Sequence, residues 1–436
     1  MTGREAALAA LERCRRENAW AGAVLDGLIR GEALDRREAA LASQLCLGVL
    51  QQQSFLDYHI RRYCTAKLQP KLADILRLGA YQILFADKIP DRAAVSESVA
   101  LSRSCGLTRA SGLVNAVLRR IAENKNELPP IPGEGTASYL SIRYSHPLWL
   151  VHRLIEQRGY ALAEAFLACN NTESPIDLQL NTLRCRKEDY LRALERAEIP
   201  YEIPRFPSDC VRVSGGRVQD LPGYDEGLFY VQDRAAAMAV EIAAPQPGMR
   251  VLDACAAPGG KSFAAARRMK DEGSILARDL HENKLSRLQR GAERLGLNSI
   301  ECRAADARIP EPELRDAFDL VMADVPCSGI GVIRKRPEIR NKTEEEIARL
   351  PALQREILDT VAAYVRPGGT LLYSTCTVLR EENEEIVGNF LKEHPDFSPA
   401  PFSVEDRRAE DGMYTFWPQI DGTDGFFAAK MRRVEA

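Results

Sequence analysis

Among its 436 residues the chain has no C-x-x-C pair, no His/Cys cluster and no run approaching the ~18 apolar residues of a membrane span. These absences exclude a structural zinc site of familiar spacing and a spanning helix. Eleven cysteines, odd in number and irregularly spaced, argue against a disulfide framework and for a reducing compartment. Met1 to Asn18 is charged throughout and lacks the apolar centre of a signal peptide, so a cytoplasmic location is expected. An excess of one charge is missing as well. Fifty-nine Lys and Arg stand against 62 Asp and Glu, and a pI near 6.1 announces no polyanion partner, although residues 1–130 carry a mild basic surplus. With 45% hydrophobic residues, this length predicts two or three domains with a sizeable core.

Strand-like alternation is absent up to about Asn126, and apolar residues recur at helical spacing instead. Ala7, Leu8 and Leu11 are followed by Leu41, Leu45 and Val49, by Ile75, Leu76, Ala80 and Ile83, and by Leu113, Val114, Val117, Leu118 and Ile121. Pro90 marks a helix start near Arg92. An all-helical domain over 1–128 is expected, its basic residues Arg61, Arg62, Lys67, Arg119 and Arg120 forming either a solvated face or a nucleic-acid surface. Pro129, Pro130, Pro132, Gly133 and Gly135 make a linker, because proline removes amide donors and glycine loosens the chain. A small α+β region over 138–244 follows. Helices around Leu148–Ile155, Ala161–Cys169, Lys187–Arg196 and Ala235–Ala243 accompany strands at Ile176–Leu180, Cys210–Val213 and Leu228–Val231. From 245 to 436 the texture is α/β. Strands at Val251–Asp253, Ser274–Asp279, Ser299–Cys302, Phe318–Ala323 and Thr370–Ser374 alternate with helical segments, which predicts a parallel sheet. Gly425–Met431 is expected to pair antiparallel at the sheet end.

In the first strand-to-helix turn, Asp253 and Ala254 lead into Cys255, Ala256, Ala257, Pro258, Gly259, Gly260 and Lys261, small residues that let backbone amides approach a ligand. Acids end the next three strands: Asp279, suited to ribose hydroxyls, then Asp306 and Asp324. The turn lacks the G-x-G-x-x-G phosphate fingerprint, so a dinucleotide fits poorly. S-adenosylmethionine, an adenosine without phosphate that needs acids for its ribose and ammonium, fits this set.

Two cysteines complete the picture: Cys327, in Asp324-Val325-Pro326-Cys327-Ser328-Gly329, and Cys376, in Ser374-Thr375-Cys376-Thr377. Together DACAAPGGK, ADVPCSGIGVIRKRPEIR, PGGTLLYSTCT and EENEEIV resemble the RNA cytosine-C5 methyltransferase family over essentially the whole chain. The N-terminal domain resembles the NusB-like domain of its bacterial 16S ribosomal RNA members of the Sun or Fmu type. Val325 stands where the family often has Ala, and Thr377 where Ser is frequent. The resemblance implies an α/β, Rossmann-like S-adenosylmethionine-dependent methyltransferase domain, preceded by an all-α NusB-like domain and a small α+β RNA-binding-like region.

The same resemblance makes Cys376 the nucleophile at cytosine C6 and Cys327 the assistant in proton removal or elimination, with Asp324 bonding or protonating N3. Lys261 and the basic cluster near Arg334 are candidates, on chemistry alone, for favouring a thiolate. The remaining thiols, Cys255 and Cys302 among them, read as small packed groups. Glu381 and Glu382 read as first-turn acids of a helix, although the Glu382-Asn383-Glu384 triplet resembles the glutamate motif of the DNA enzymes. Arg334, Lys335, Arg336 and Arg340 are expected to contact RNA phosphates, because a base reached by a covalent nucleophile has to be unpaired and its backbone held. Marked salt sensitivity follows. The expected partner is 16S ribosomal RNA, with no membrane, no metal and a monomeric chain. The same reaction on tRNA or large-subunit rRNA is the alternative, and a non-catalytic RNA-binding or assembly factor is the contrasting class.

Overall fold

The structure, a computed structural model, describes residues 1–17, 19–214 and 217–435. Asn18 and Ala436, which end two of the segments delimited above, lie outside the described residues. Two compact units result: residues 1–172 with 333–344, and residues 173–332 with 345 onward.

In the first unit the helices Gly3–Glu17, Ala21–Gly31, Arg36–Tyr63, Pro70–Phe85, Asp91–Ser104 and Ser111–Glu123 close around one core. The periodic residues Leu8, Leu45, Val49, Ile75, Leu76, Val114 and Leu118 are all buried in it. Asp35 caps the third helix by accepting from the amides of Arg37 and Glu38 at 2.8 Å, an arrangement worth about 1 kcal/mol. Gly48 lets that helix cross Pro70–Phe85 closely, since a Cβ there would come within 2.1 Å of the Tyr81 ring. Helix Ala21–Gly31 was not anticipated, because Gly22, Gly27 and Gly31 dilute its signal.

The helices Ala137–Arg143, Leu148–Arg158 and Tyr160–Cys169, grouped by sequence with the middle region, belong to this same unit. Polar contacts explain it: the Ser54 amide donates to Ser145 Oγ at 2.7 Å, and Gln51 Nε2 donates to Asn170 O at 3.2 Å.

The second unit holds two larger sheets. Strands β1 (Ile176–Leu180), β2 (Tyr201–Glu202), β3 (Cys210–Val213) and β4 (Phe229–Val231) form an antiparallel sheet ordered β2-β3-β1-β4. Tyr190 and Leu194, from helix Lys187–Arg196, pack on it. The large sheet contains β5 (Arg250–Asp253), β6 (Ser274–Asp279), β7 (Ile300–Ala304), β8 (Phe318–Asp324), β9 (Val365–Thr375), β10 (Phe397–Pro399), β13 (Met413–Phe416) and β14 (Phe426–Arg433). Its order is β10-β14-β9-β8-β5-β6-β7, with β13 beside β14, while β11 (Phe402–Val404) and β12 (Arg407–Ala409) form a separate hairpin. β5 to β9 run parallel, and the central strands β5 and β8 carry the continuous apolar runs of strands buried on both faces. β14 pairs antiparallel with β9, as expected, but β10 continues the sheet beyond it. The chain winds from β5 outward through β6 to β7, then returns to β8 on the other side of β5. That reversal is the crevice in which ligands of open α/β sheets bind, at the strand carboxyl ends. Among the described residues no helix is long and apolar enough to cross a membrane.

Candidate active site

Strand register brings the two cysteine motifs together. β8 and β9 are parallel neighbours in which Asp324 stands opposite Ser374, so the loops that follow them emerge side by side. The Val325 amide donates to Ser374 O at 3.1 Å, and Ser374 Oγ donates to Asp324 Oδ1 at 2.8 Å. Cys327 Sγ and Cys376 Sγ, 49 residues apart in sequence, lie 3.1 Å from each other. Behind them the Gly331 amide donates to Cys376 O at 3.0 Å, and the Gly425 amide donates to Gly331 O at 2.9 Å. A Cβ on Gly331 would come within 1.8 Å of Gly425 O, so only glycine allows this approach.

Cys327 is pushed well up from its ordinary value by the hydrogen bond with Cys376, then by burial, then by the charges around it, including Glu382 and Asp324. Cys327 therefore holds its proton more tightly than a free thiol, and either sulfur can be the donor in the sulfur–sulfur hydrogen bond. Lys261 Nζ is paired with Asp324 Oδ2 at 2.7 Å and lies over the Phe426 ring.

In the turn after β5 three amides are engaged within the protein. The Ala256 amide donates to Arg278 O at 2.7 Å, that of Ala257 to Asp279 Oδ2 at 3.3 Å, and that of Gly259 to Ala256 O at 2.8 Å. Pro258 has no amide to give. These three bonds shape the turn from within. Gly259, at φ +114°, packs on Phe263 and Leu288 where a side chain would collide with both.

Two cavities flank the turn. One of about 480 Å³ is lined by Gln232, Asp233, Asp253, Gly260, Lys261 and Asp324, among others. The other, of about 210 Å³, has Leu280, Asp306, Arg308, Pro326 and Ile357 in its wall. Cys255 borders both, and burial drives its thiol far up, consistent with a neutral packing group. Asp279 accepts from the amides of Ala257 and His281. Asp306 is held below its usual range by hydrogen bonds from the Arg308 side chain and amide.

Asp253, the last residue of β5, was not among the cofactor acids read from the sequence, yet it is the most perturbed carboxyl of the crevice. Its Oδ2 accepts from Ser262 Oγ at 2.7 Å while Oδ1 has no partner, and burial pushes its carboxyl up to about 7. The folded protein thus holds a proton here that the unfolded chain, with an ordinary value of 3.8, releases. The cofactor-free enzyme should lose stability as pH rises from about 4 through 7 by this linkage. Asp253→Asn, which mimics the protonated carboxyl, should flatten that part of the melting-temperature profile. Gln232 was overlooked too. It is buried against Gly260 with Oε1 unpartnered.

Of the four basic residues expected on RNA, Arg340 is corrected outright. It belongs to the first unit and is buried there. Its guanidinium donates to Gln51 O, to Ser145 O at 3.1 Å and to Asn171 Oδ1 at 2.7 Å, and burial lowers its proton affinity to about 9. Charged side chains are rarely buried without such partners. Arg340→Met should cost about 2–4 kcal/mol of stability by leaving carbonyls dry, read by denaturant unfolding. Lys335 and Arg336 are exposed, Arg336 lying over the Trp20 ring at 4.8 Å, and Arg334 is half-buried. Glu382 is corrected as well. It ends a 3-10 turn, Arg380–Glu382, ahead of helix Glu384–Glu393, and is fully buried rather than exposed to a helix dipole.

Residues 240–432 match the family described as 16S rRNA methyltransferase RsmB/F, residues 1–123 the NusB family, and residues 146–218 the ferredoxin-like domain of RsmF/B-like methyltransferases. The probable ribosomal RNA small subunit methyltransferase B of Bacillus subtilis is 34% identical, covering 99% of this chain and 98% of its own. The chain belongs to the RsmB/F methyltransferase family. The ribosomal RNA small subunit methyltransferase B of Erwinia tasmaniensis is 35% identical over 91% of this chain and 90% of its own. The crystal structure of PH0851 superposes with a TM-score of 0.83 at 27% identity, covering 99% of this chain and 98% of that one.

As a member of this family the chain is an RNA methyltransferase that acts on ribosomal RNA, and S-adenosylmethionine is its cofactor. The crevice fits that group. Asp253 offers an unpartnered, buried carboxyl oxygen, and Lys261 and Asp324 border the same, larger cavity. Asp306 and Leu280 stand in the wall of the smaller one.

Proposed function

We propose that this enzyme methylates C5 of a cytidine in 16S ribosomal RNA through a covalent bond between Cys376 and C6 of the base, acting in the cytoplasm as a monomer. The observation that carries the reading is the pair of thiols 3.1 Å apart beside the Asp324–Lys261 ion pair. Cytosine C5 is too electron-poor to take a methyl group unaided, so a thiolate first adds at C6 and pushes density toward C5. S-adenosylmethionine supplies the electrophilic methyl group. Asp324 meets N3 and stabilises the charge that develops as the thiolate adds, with the Lys261 ammonium behind it as proton source. After transfer the C5 proton passes to a water molecule, and the electron pair of the C5–H bond restores the C5–C6 double bond as the C6–S bond breaks and releases the Cys376 thiolate. Cys327, holding its proton, donates a hydrogen bond to the departing Cys376 thiolate and so favours release.

Three parts share the RNA in this reading: the helical domain 1–128, the region 138–244 and the catalytic domain 245–436. The first offers a cleft of about 680 Å³ bordered by Arg15, Arg61 and Lys67. Arg334, Lys335 and Arg336, within ten residues of Cys327, hold backbone phosphates near the target base. The names borne by relatives support small-subunit RNA as substrate.

The test is to incubate the purified protein with methyl-labelled cofactor and, separately, 16S rRNA, 23S rRNA and tRNA, then digest to nucleosides. Label is expected in 5-methylcytidine from 16S rRNA. Label at an exocyclic nitrogen or a ribose oxygen would exclude the adduct chemistry. Label confined to another RNA would exclude the substrate.

A further inference from the structure

Cys327 and Cys376 lie in different loops, and the residues flanking each are tied down by a buried polar cluster. On the Cys327 side, Gln354 Nε2 donates to Pro326 O at 3.0 Å and the Ser328 amide donates to Glu382 Oε2 at 2.8 Å. On the Cys376 side, Thr375 Oγ1 donates to Asn383 Oδ1 at 2.6 Å and Asn383 Nδ2 donates to Thr377 O at 3.0 Å. Ser328 Oγ donates to Thr377 Oγ1 at 2.9 Å and joins the two loops, while Gln354 Nε2 also donates to Glu382 Oε2 at 2.8 Å. Ser328, Gln354, Thr375, Thr377, Glu382 and Asn383 are each 0% exposed.

A carboxylate buried so deeply and met by neutral donors is expensive unless the geometry it enforces repays it. What it enforces here is the relative placement of two loops whose sulfurs it does not touch. We propose that Glu382, with Asn383 and Gln354, is a positioning residue of the methyltransferase site, clamping the two loops so that the thiols stand within hydrogen-bond distance. The proposal rests on the two-thiol reading given above. Its charge acts in the same sense. After the hydrogen bond with Cys376 and burial, the charges facing Cys327, including Glu382 and Asp324, help keep that thiol protonated.

The test uses the full-length enzyme with Glu382→Gln and, separately, Gln354→Leu, each checked for melting temperature and for cofactor affinity. Diamide, a two-electron thiol oxidant, serves as a ruler. It takes two electrons and two protons from the thiols and leaves a Cys327–Cys376 disulfide, scored by mass spectrometry. Glu382→Gln is expected to bind cofactor as wild type does, to lose about 10²-fold in kcat with little change in KM for RNA, and to form the disulfide about tenfold more slowly. The alkaline limb of its pH–rate profile should move to lower pH, because the charge that holds the Cys327 proton is gone. Gln354→Leu should show the kcat and disulfide effects in smaller measure, and it carries the test if Glu382→Gln does not fold. A folded variant with wild-type kcat and disulfide rate overturns the proposal, as does a loss of kcat with an unchanged disulfide rate. If Cys376→Ala still methylates RNA, the two-thiol chemistry falls, whereas the disulfide rates continue to judge the clamp separately.

Discussion

Cys376→Ala is expected to abolish methyl transfer and adduct formation together, while Cys327→Ala forms the RNA–protein adduct and fails to release it. The two outcomes differ because the two sulfurs enter at different steps. Without the Cys376 thiolate there is no addition at C6, C5 stays electron-poor, and the rate should fall by about 10⁴-fold or more, as for other nucleophile deletions. Without Cys327 addition still occurs, but the departing thiolate loses the hydrogen bond that the 3.1 Å contact provides. The adduct should then persist through denaturation and run as a shifted band on a denaturing gel, with at most one methyl group incorporated per enzyme. The Cys376 hydrogen bond, burial and nearby charges all favour the proton on Cys327, which supports this division. A denaturation-resistant band from Cys376→Ala, or rapid turnover by that variant, would reverse the roles.

The sequence carried the elements of this site better than their relations. Parallel strands buried on both faces read as short apolar runs, so β6 and β8 show their terminal acids, and Asp306 follows two residues after β7. Asp279, Asp306 and Asp324 could therefore be named from position alone. Which loops touch is set by register, and no local signal states that Asp324 stands opposite Ser374 or that two cysteines 49 residues apart come into contact. Burial of polar groups is hidden for the same reason. Asp253 looked like part of a strand, and Glu382 like the start of a helix, because each is held by partners distant in the chain: Ser262 in one case, Ser328 and Gln354 in the other. Arg340 misled in the opposite direction. It lies in a run of basic residues, yet Pro337 and Ile339 beside it are buried and mark an inward-facing turn. The strands β10 to β13 were missed because each has only three or four residues, too few to show a period.

The Asp324–Lys261 pair sets the second large expectation. Asp324→Asn keeps the shape of the side chain and a hydrogen bond toward N3, but it removes the carboxylate that meets Lys261 at 2.7 Å and the route by which a proton passes to the base. Deleting a group aimed at developing charge costs about 10²–10³-fold in kcat, and a loss of that size is expected here with KM for RNA nearly unchanged. Lys261 is only 8% exposed, so losing its counter-charge should also lower the melting temperature, a cost that Asp324→Asn combined with Lys261→Met should largely relieve without restoring activity. The step affected distinguishes this lesion from that of Cys327→Ala. Charge at N3 develops during addition, so Asp324→Asn should slow the appearance of adduct, and in the Cys327→Ala background the band should build up later rather than vanish. Rapid-quench time courses of band intensity decide the matter. An unchanged rate of adduct formation would remove Asp324 from the addition step and leave it with the cofactor alone.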